Sequence, residues 1–204
     1  TRKGLELYKE FTRICKVKYG SYYILKCDIS KFFASINQEI LKEKLKKKIK
    51  DKDALEIVYK IIYSEDSGLN IGSMTSQVLA IFYLNDMDHF IKEQLKIKYY
   101  IRYQDDFLLF HESKSYLKYC LEEIKKFLSH EKLTLNNKTR LYKSTNNFIF
   151  IGRTRNGKYA KYRTVRRKLK KRCYLYENKK IHLNNLACSL ISYESLTQKK
   201  GNLL

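Results

Sequence analysis

The chain has 204 residues, 44% of them hydrophobic, enough to bury a core in one domain with at most a small appendage and too apolar for a disordered chain. Lys and Arg number 43 against 21 Asp and Glu, a net charge of +22 that points to a polyanionic partner, either nucleic acid or an acidic membrane surface. The lack of Pro and Trp, with 18 Tyr, fits an A/T-rich genome, so where the charge lies says more than its total.

In chain order, residues 4–17 read as a helix, with Leu5, Tyr8, Phe11, Ile14 and Cys15 recurring on one face. The run "YYILKCDI" at 22–29 reads as a strand. Tyr23, Leu25, Cys27 and Ile29 form its apolar face, Tyr22, Ile24, Lys26 and Asp28 the other, and Asp28 lies at its end. Helices are expected at 37–50 and 53–63. The lysine-rich stretch from Leu41 puts Leu41, Leu45 and Ile49 on one side and reads as a solvated helix face. After the turn-rich loop "SEDSGLNIGS", the pattern predicts one long helix over 75–97 with Ser73 as N-cap.

A hairpin follows at 99–110, then a helix at 113–130 and short strands at 132–136, 139–143 and 147–151. Helices alternating with a hairpin and strands give an α+β class, an antiparallel sheet covered by helices on one face. The basic span after Gly152 opens a second module: residues 151–181 hold thirteen Lys or Arg and one acid, Glu177.

Cys15, Cys27, Cys120, Cys173 and Cys188 form no CxxC pair and the four histidines have no ligand spacing, which argues against a zinc site or a disulfide framework. The apolar run "VLAIFYL" is too short to span a bilayer and no signal peptide is visible, so a cytoplasmic setting is expected. A start at "TRKG" without Met reads as a fragment of a longer protein.

The segment "IRYQDDFLLF" sets two adjacent acids between apolar runs. Adjacent anions repel and cannot be buried without a counter-charge, so Asp105 and Asp106 belong either to a solvated turn or beside something positive. If Asp28 lies beside this turn on a neighbouring strand, three carboxylates converge. Such a cluster suits Mg²⁺, which accepts a few carboxylates together with substrate phosphates. Two ions roughly 3.5–4 Å apart would activate a primer 3′-hydroxyl and stabilise leaving pyrophosphate.

The segments "CDISKFF", "GLNIGSMTSQ", "YQDD", "LTLNNKT" and "FIGR" resemble, in order and spacing, the palm motifs of reverse transcriptases over roughly residues 21–153. The resemblance implies a polymerase right-hand palm at 21–151, a remnant of fingers at 1–20 and the start of a basic helical thumb at 152–204. It implies Asp28, Asp105 and Asp106 as metal ligands with the Ile29 carbonyl, two Mg²⁺ ions or Mn²⁺ in their place, and Lys138 as the acid that protonates pyrophosphate. Phe33 would be the steric gate against a 2′-hydroxyl. Gln104, Gln77 and Gly72 would meet the nucleotide. Tyr103, Ser76, Ile151, Gly152, Arg153, Arg163, Arg166 and Arg167 would hold template and primer. Partners would be template RNA, a DNA primer or RNA–DNA hybrid, dNTPs, and an accessory protein or structured RNA, with no membrane.

Asn70-Ile71-Gly72 followed by Ser76-Gln77 resembles the bacterial enzymes of diversity-generating retroelements more than group II intron or retron enzymes. Two departures stand out: only Arg2 and Lys3 could remain of the fingers' triphosphate-binding residues, and the thumb stops early. A catalytically silent RNA-binding scaffold of the same fold is the alternative, and three intact carboxylates argue against it because an unused acidic cluster only costs stability. A peripheral membrane protein would need exposed large apolar residues on a basic helix, and the stretch near Leu41 lacks aromatics.

Overall fold

Alternating apolar residues make Tyr23–Asp28 a strand, β1, which takes an inner place in a sheet. The structure is a computed structural model describing residues 2–146, 148–154 and 162–197. A four-stranded antiparallel sheet is ordered β2 (Tyr99–Tyr103), β3 (Asp106–His111), β1, β4 (Arg140–Lys143). The register of β1 against β3 runs from Tyr23 opposite His111 to Asp28 opposite Asp106.

One face of this sheet is the main core. Leu25, Cys27, Phe107 and Leu109 bury against Met87, Ile91, Leu117, Cys120, Ile124 and Leu128 from helices α6 (Asn85–His89) and α7 (Lys114–His130) and the π-helical turn Phe90–Gln94. This is the α+β arrangement that the sequence predicts. The opposite face is open only in part. Helix α1 (Arg2–Tyr19) packs there through Tyr8 and Phe11 against Phe110 and Tyr99, at the end of the strands away from Asp28. The strand expected at 132–136 reduces to one bridge, Ile29 to Leu135.

The predicted helix over 75–97 is broken. It consists of α5 (Met74–Tyr83), α6 and the π-helical turn, with Leu84 at φ −89°, ψ 3° between the first two. The break leaves the Tyr83 carbonyl to accept a hydrogen bond from Lys44 Nζ at 3.0 Å. Lys44 also meets Asp86 at 2.8 Å and Glu131 at 2.9 Å, while the Tyr83 hydroxyl donates to the Glu131 carbonyl at 2.6 Å. One lysine of the supposedly solvated run on α3 (Gln38–Lys48) is therefore a structural tie between helices. Ser73 is the N-cap residue of α5, yet its side chain makes no capping bond.

Helices α2 (Phe32–Ser35) and α4 (Lys52–Ile62) complete this unit. The loop between α4 and α5 is pinned by Gln38, whose Nε2 reaches the carbonyls of Ile62, Glu65 and Gly68, each at 3.0 Å. The Leu69 amide donates to the Phe33 carbonyl at 2.8 Å. A Cβ on Gly68 would sit 2.5 Å from that carbonyl oxygen, and Gly68 has φ +67°.

A second unit, Asn147–Leu204, holds a hairpin of β5 (Ile149–Phe150) and β6 (Arg153–Thr154), and helices α8 (Tyr162–Glu177) and α9 (Leu183–Thr197), which pack on one another. No described helix is long and apolar enough to cross a membrane, and all five cysteines are free.

Gly68→Ala is expected to lower stability by at least about 1 kcal/mol, from the left-handed backbone and the clash with Phe33 together. Chemical denaturation checks this, and an unchanged midpoint would contradict the tight approach.

Candidate active site

Three backbone facts bring the acids together. Asp28 closes β1 directly opposite Asp106, the first residue of β3, so their side chains share a face. Asp105 sits in the two-residue turn that joins Tyr103 to Asp106. The Ile29 amide donates to the Asp105 carbonyl at 3.2 Å, stitching the turn to the end of β1. From the other side, the Asn136 amide donates to the Asp28 carbonyl at 2.6 Å and the Ser30 amide to the Thr134 carbonyl at 2.9 Å.

Lys26 precedes Asp28 by two residues and lies on the same face, and its Nζ donates to Asp106 Oδ1 at 2.6 Å. Burial raises the Asp105 carboxyl above its ordinary value, and the charges of Asp28 and Asp106 add to this, against its own backbone N–H and Lys26. Burial likewise raises Asp106, where the Lys26 hydrogen bond and charge oppose and Asp28 adds. The corner is thus a partly buried cluster of like charges with one internal cation.

These residues fit a divalent metal in chemistry: hard oxygen donors, close enough that the charges of Asp28 and Asp106 raise Asp105, with a lysine where a cation is needed. They do not form a finished cage, since among the described residues no group of three acidic, His or Cys side chains converges tightly enough to hold an ion. An open arrangement suits Mg²⁺, whose coordination sphere is commonly completed by substrate phosphates and water.

Tyr103 faces the same side as Asp106 and is 39% exposed. Gln104, with φ 58°, lines a cleft of about 360 Å³ beside Asp88, Lys92 and Arg102, and its buried Oε1 accepts no hydrogen bond from the described residues. Phe33 is half-buried with its ring edge-on to Phe32, 5.6 Å between centroids, while Phe32 belongs to the core. Gly72 has φ +106° and nothing within 4 Å of a Cβ position, whereas Gln77 and Lys138 are exposed. Ser76 is 3% exposed, on the core side of α5.

Ile151 and Gly152 form the two-residue turn between β5 and β6 with φ 49° and 72°, the signature of a tight hairpin. The expected strand at 147–151 therefore stops at Phe150. Arg167 is exposed on α8, and the side chains of Arg153, Arg163 and Arg166 lie outside those described.

Two features escaped the sequence reading. Lys26 was only one lysine among many, and its role needs the register of β1 against β3. Met74, Val78 and Ile81 line one side of α5 after Ile71, between 49% and 78% exposed, and Ile81 and Tyr103 border the same cleft. A helix apolar on all sides reads as buried, so periodicity alone hides such a stripe.

An acidic turn at one corner of a four-stranded antiparallel sheet, with helices layered behind it, defines a polymerase-type palm. The sequence profile of the reverse transcriptase (RNA-dependent DNA polymerase) family matches residues 2–155, and the chain belongs to this family. Among solved structures it is similar to telomerase from Candida albicans in complex with a TWJ fragment of telomeric RNA (14% identity, 96% of this chain and 42% of that one, TM-score 0.62). It is also similar to apo telomerase from Candida tropicalis truncated from its C-terminal domain (18% identity, 76% and 38%, TM-score 0.60) and to telomerase from C. tropicalis in complex with a TWJ fragment of telomeric RNA (15%, 94% and 41%, 0.58). These likenesses concern the fold, and the chain spans about two-fifths of each telomerase chain. No curated protein matches by sequence.

Because the folded-state value of Asp105 is raised, its ionisation costs stability above that value, and the cost disappears as pH falls through it. Without divalent metal, Asp105→Asn is therefore expected to raise the melting temperature at neutral pH, with the gain fading on acidification through the carboxylate range. Lys26→Met is expected to lower it under the same conditions, and added Mg²⁺ to restore more in this variant than in wild type; thermal melts with and without chelator check both.

Proposed function

We propose that the chain is the catalytic palm of an RNA-directed DNA polymerase that extends a primer 3′-hydroxyl with dNTPs. The observation that carries this reading is the pairing of Asp28 with Asp106 across β1 and β3, with Asp105 in the adjoining turn, in a chain of the reverse transcriptase family. Divalent ions, Mg²⁺ or Mn²⁺, bound by Asp28, Asp105, Asp106 and the Ile29 carbonyl would supply the charge that activates the 3′-hydroxyl and stabilises pyrophosphate as it leaves.

The chain's own residues have distinct tasks. The exposed Tyr103 packs on the primer end. The Phe33 ring, held against Phe32 and by the Leu69 amide on its carbonyl, crowds the sugar where a 2′-hydroxyl would sit. Gly72 and Gln77 border the nucleotide, and Lys138 Nζ gives its proton to the leaving pyrophosphate oxygen. Ile151 and Gly152, in their tight hairpin, support the primer backbone, while the basic span 151–181 follows template–primer phosphates.

On this reading residues 1–20 belong to the fingers, 21–151 to the palm and 152–204 to the thumb. The template is RNA, and the "NIG…SQ" form of the second motif supports membership among bacterial diversity-generating retroelement enzymes.

The test is primer extension on an RNA template by the product of the complete reading frame. Extension should require divalent metal and fall roughly 10³-fold with Asp105→Asn. Phe33→Ala should raise rNTP use relative to dNTP by roughly 10–100-fold. Template binding without extension by the wild-type protein would favour the scaffold reading instead.

A further inference from the structure

Behind the acidic turn, β2 directs Tyr100 and Arg102 toward the helix layer, because they pair with the core residues Leu109 and Phe107. The Arg102 guanidinium there grips Asp88 of α6 with both arms of its fork: Nε donates to Oδ1 at 2.7 Å and Nη2 donates to Oδ2. The Tyr100 hydroxyl donates to the same Oδ1 at 2.7 Å, so the carboxylate is held from two directions. The remaining arm, Nη1, donates to the Gln104 carbonyl at 3.2 Å, and Nη2 also reaches the Ile81 carbonyl at 3.4 Å. The Arg102 side chain is 9% exposed and that of Asp88 28%.

The Gln104 carbonyl belongs to the peptide that joins Gln104 to Asp105. A non-glycine residue at φ 58° disfavours its own conformation, so the turn needs an outside hold. We infer that Asp88 and Arg102 are positioning residues for the polymerase turn: the ion pair fixes the plane of the Gln104–Asp105 peptide and thereby aims Asp105 beside Asp28 and Asp106. The Ile29 amide holds the next carbonyl, that of Asp105, from the opposite side, so the turn is clamped at two successive carbonyls. Neither Asp88 nor Arg102 lies in the motif segments that carry the family resemblance as catalytic or substrate-binding positions. The inference rests on the polymerase reading for its functional consequence and on geometry for its mechanical one.

Arg102→Lys separates these. An ammonium keeps a charge for Asp88 but is a single point that cannot fork onto the carboxylate and reach the Gln104 carbonyl together. In the product of the complete reading frame, amide hydrogen exchange at Gln104–Asp106 and at Ile29 is expected to quicken at least about tenfold, with the central amides of β1 and β3 unaffected. In extension assays kcat should fall roughly 10–100-fold, while the KM for dNTP and the Kd for template–primer stay within about twofold. Unchanged exchange at the turn overturns the inference, as does acceleration spread evenly over the sheet, which would mark a merely stabilising ion pair. Unchanged kcat in an active wild-type background overturns it too. A wild-type protein that never extends a primer sinks the polymerase reading alone, because exchange still decides the positioning role. If Arg102→Lys does not fold, Asp88→Asn carries the same outcomes, since it keeps the shape and one acceptor but loses the charge.

Discussion

The structure depends on holding three carboxylates at one corner of a sheet against their mutual repulsion. Burial raises the carboxyls of Asp105 and Asp106, the charge of Asp28 adds to both, and the chain answers with backbone constraint and one lysine. Each acid is fixed through its main chain: Asp28 by Asn136, Asp105 by Ile29, Asp106 by its place opposite Asp28. Such preorganisation keeps charge concentrated where an incoming cation and a polyanionic substrate would use it.

The remainder of the first unit is arranged around that demand. Helix α1 covers the sheet face only at the far end, through Tyr8 and Phe11, away from the acidic corner. The broken helix from Met74 to Gln94 does what an unbroken one could not. Its kink at Leu84 lets Lys44 tie the Tyr83 carbonyl to Asp86 and Glu131. It also presents Asp88 to Arg102. Gly68 and Gln38 hold the loop before α5 onto the Phe33 backbone. Polar ties of this kind, each between elements distant in sequence, set positions that a purely apolar core would leave free to slide.

Much of this was legible in the chain. The alternation in "YYILKCDI" assigned β1 and its two faces, and it put Asp28 on the side away from the main core. The hairpin around Gln104 and Asp105 followed from two apolar runs with a polar centre. The helix over 75–97 was misread as continuous, because apolar periodicity persists through Leu84 while the lysine that meets the freed Tyr83 carbonyl, Lys44, lies some 40 residues earlier. Ser76 and Gln104 were assigned to substrate from motif position; that Ser76 lies on the core side of its helix and Gln104 in a left-handed turn depends on backbone angles that a motif does not carry.

By itself the sequence determined the α+β class and the family, and it singled out Asp28, Asp105 and Asp106 as candidates, because periodicity and ordered motifs are properties of neighbouring residues. Only the tertiary structure decided that Lys26 neutralises Asp106, that Arg102 and Asp88 brace the turn, and that α1 leaves the acidic corner uncovered. Those depend on strand register and helix placement, and one residue's slip in either would turn the same side chains to the other face.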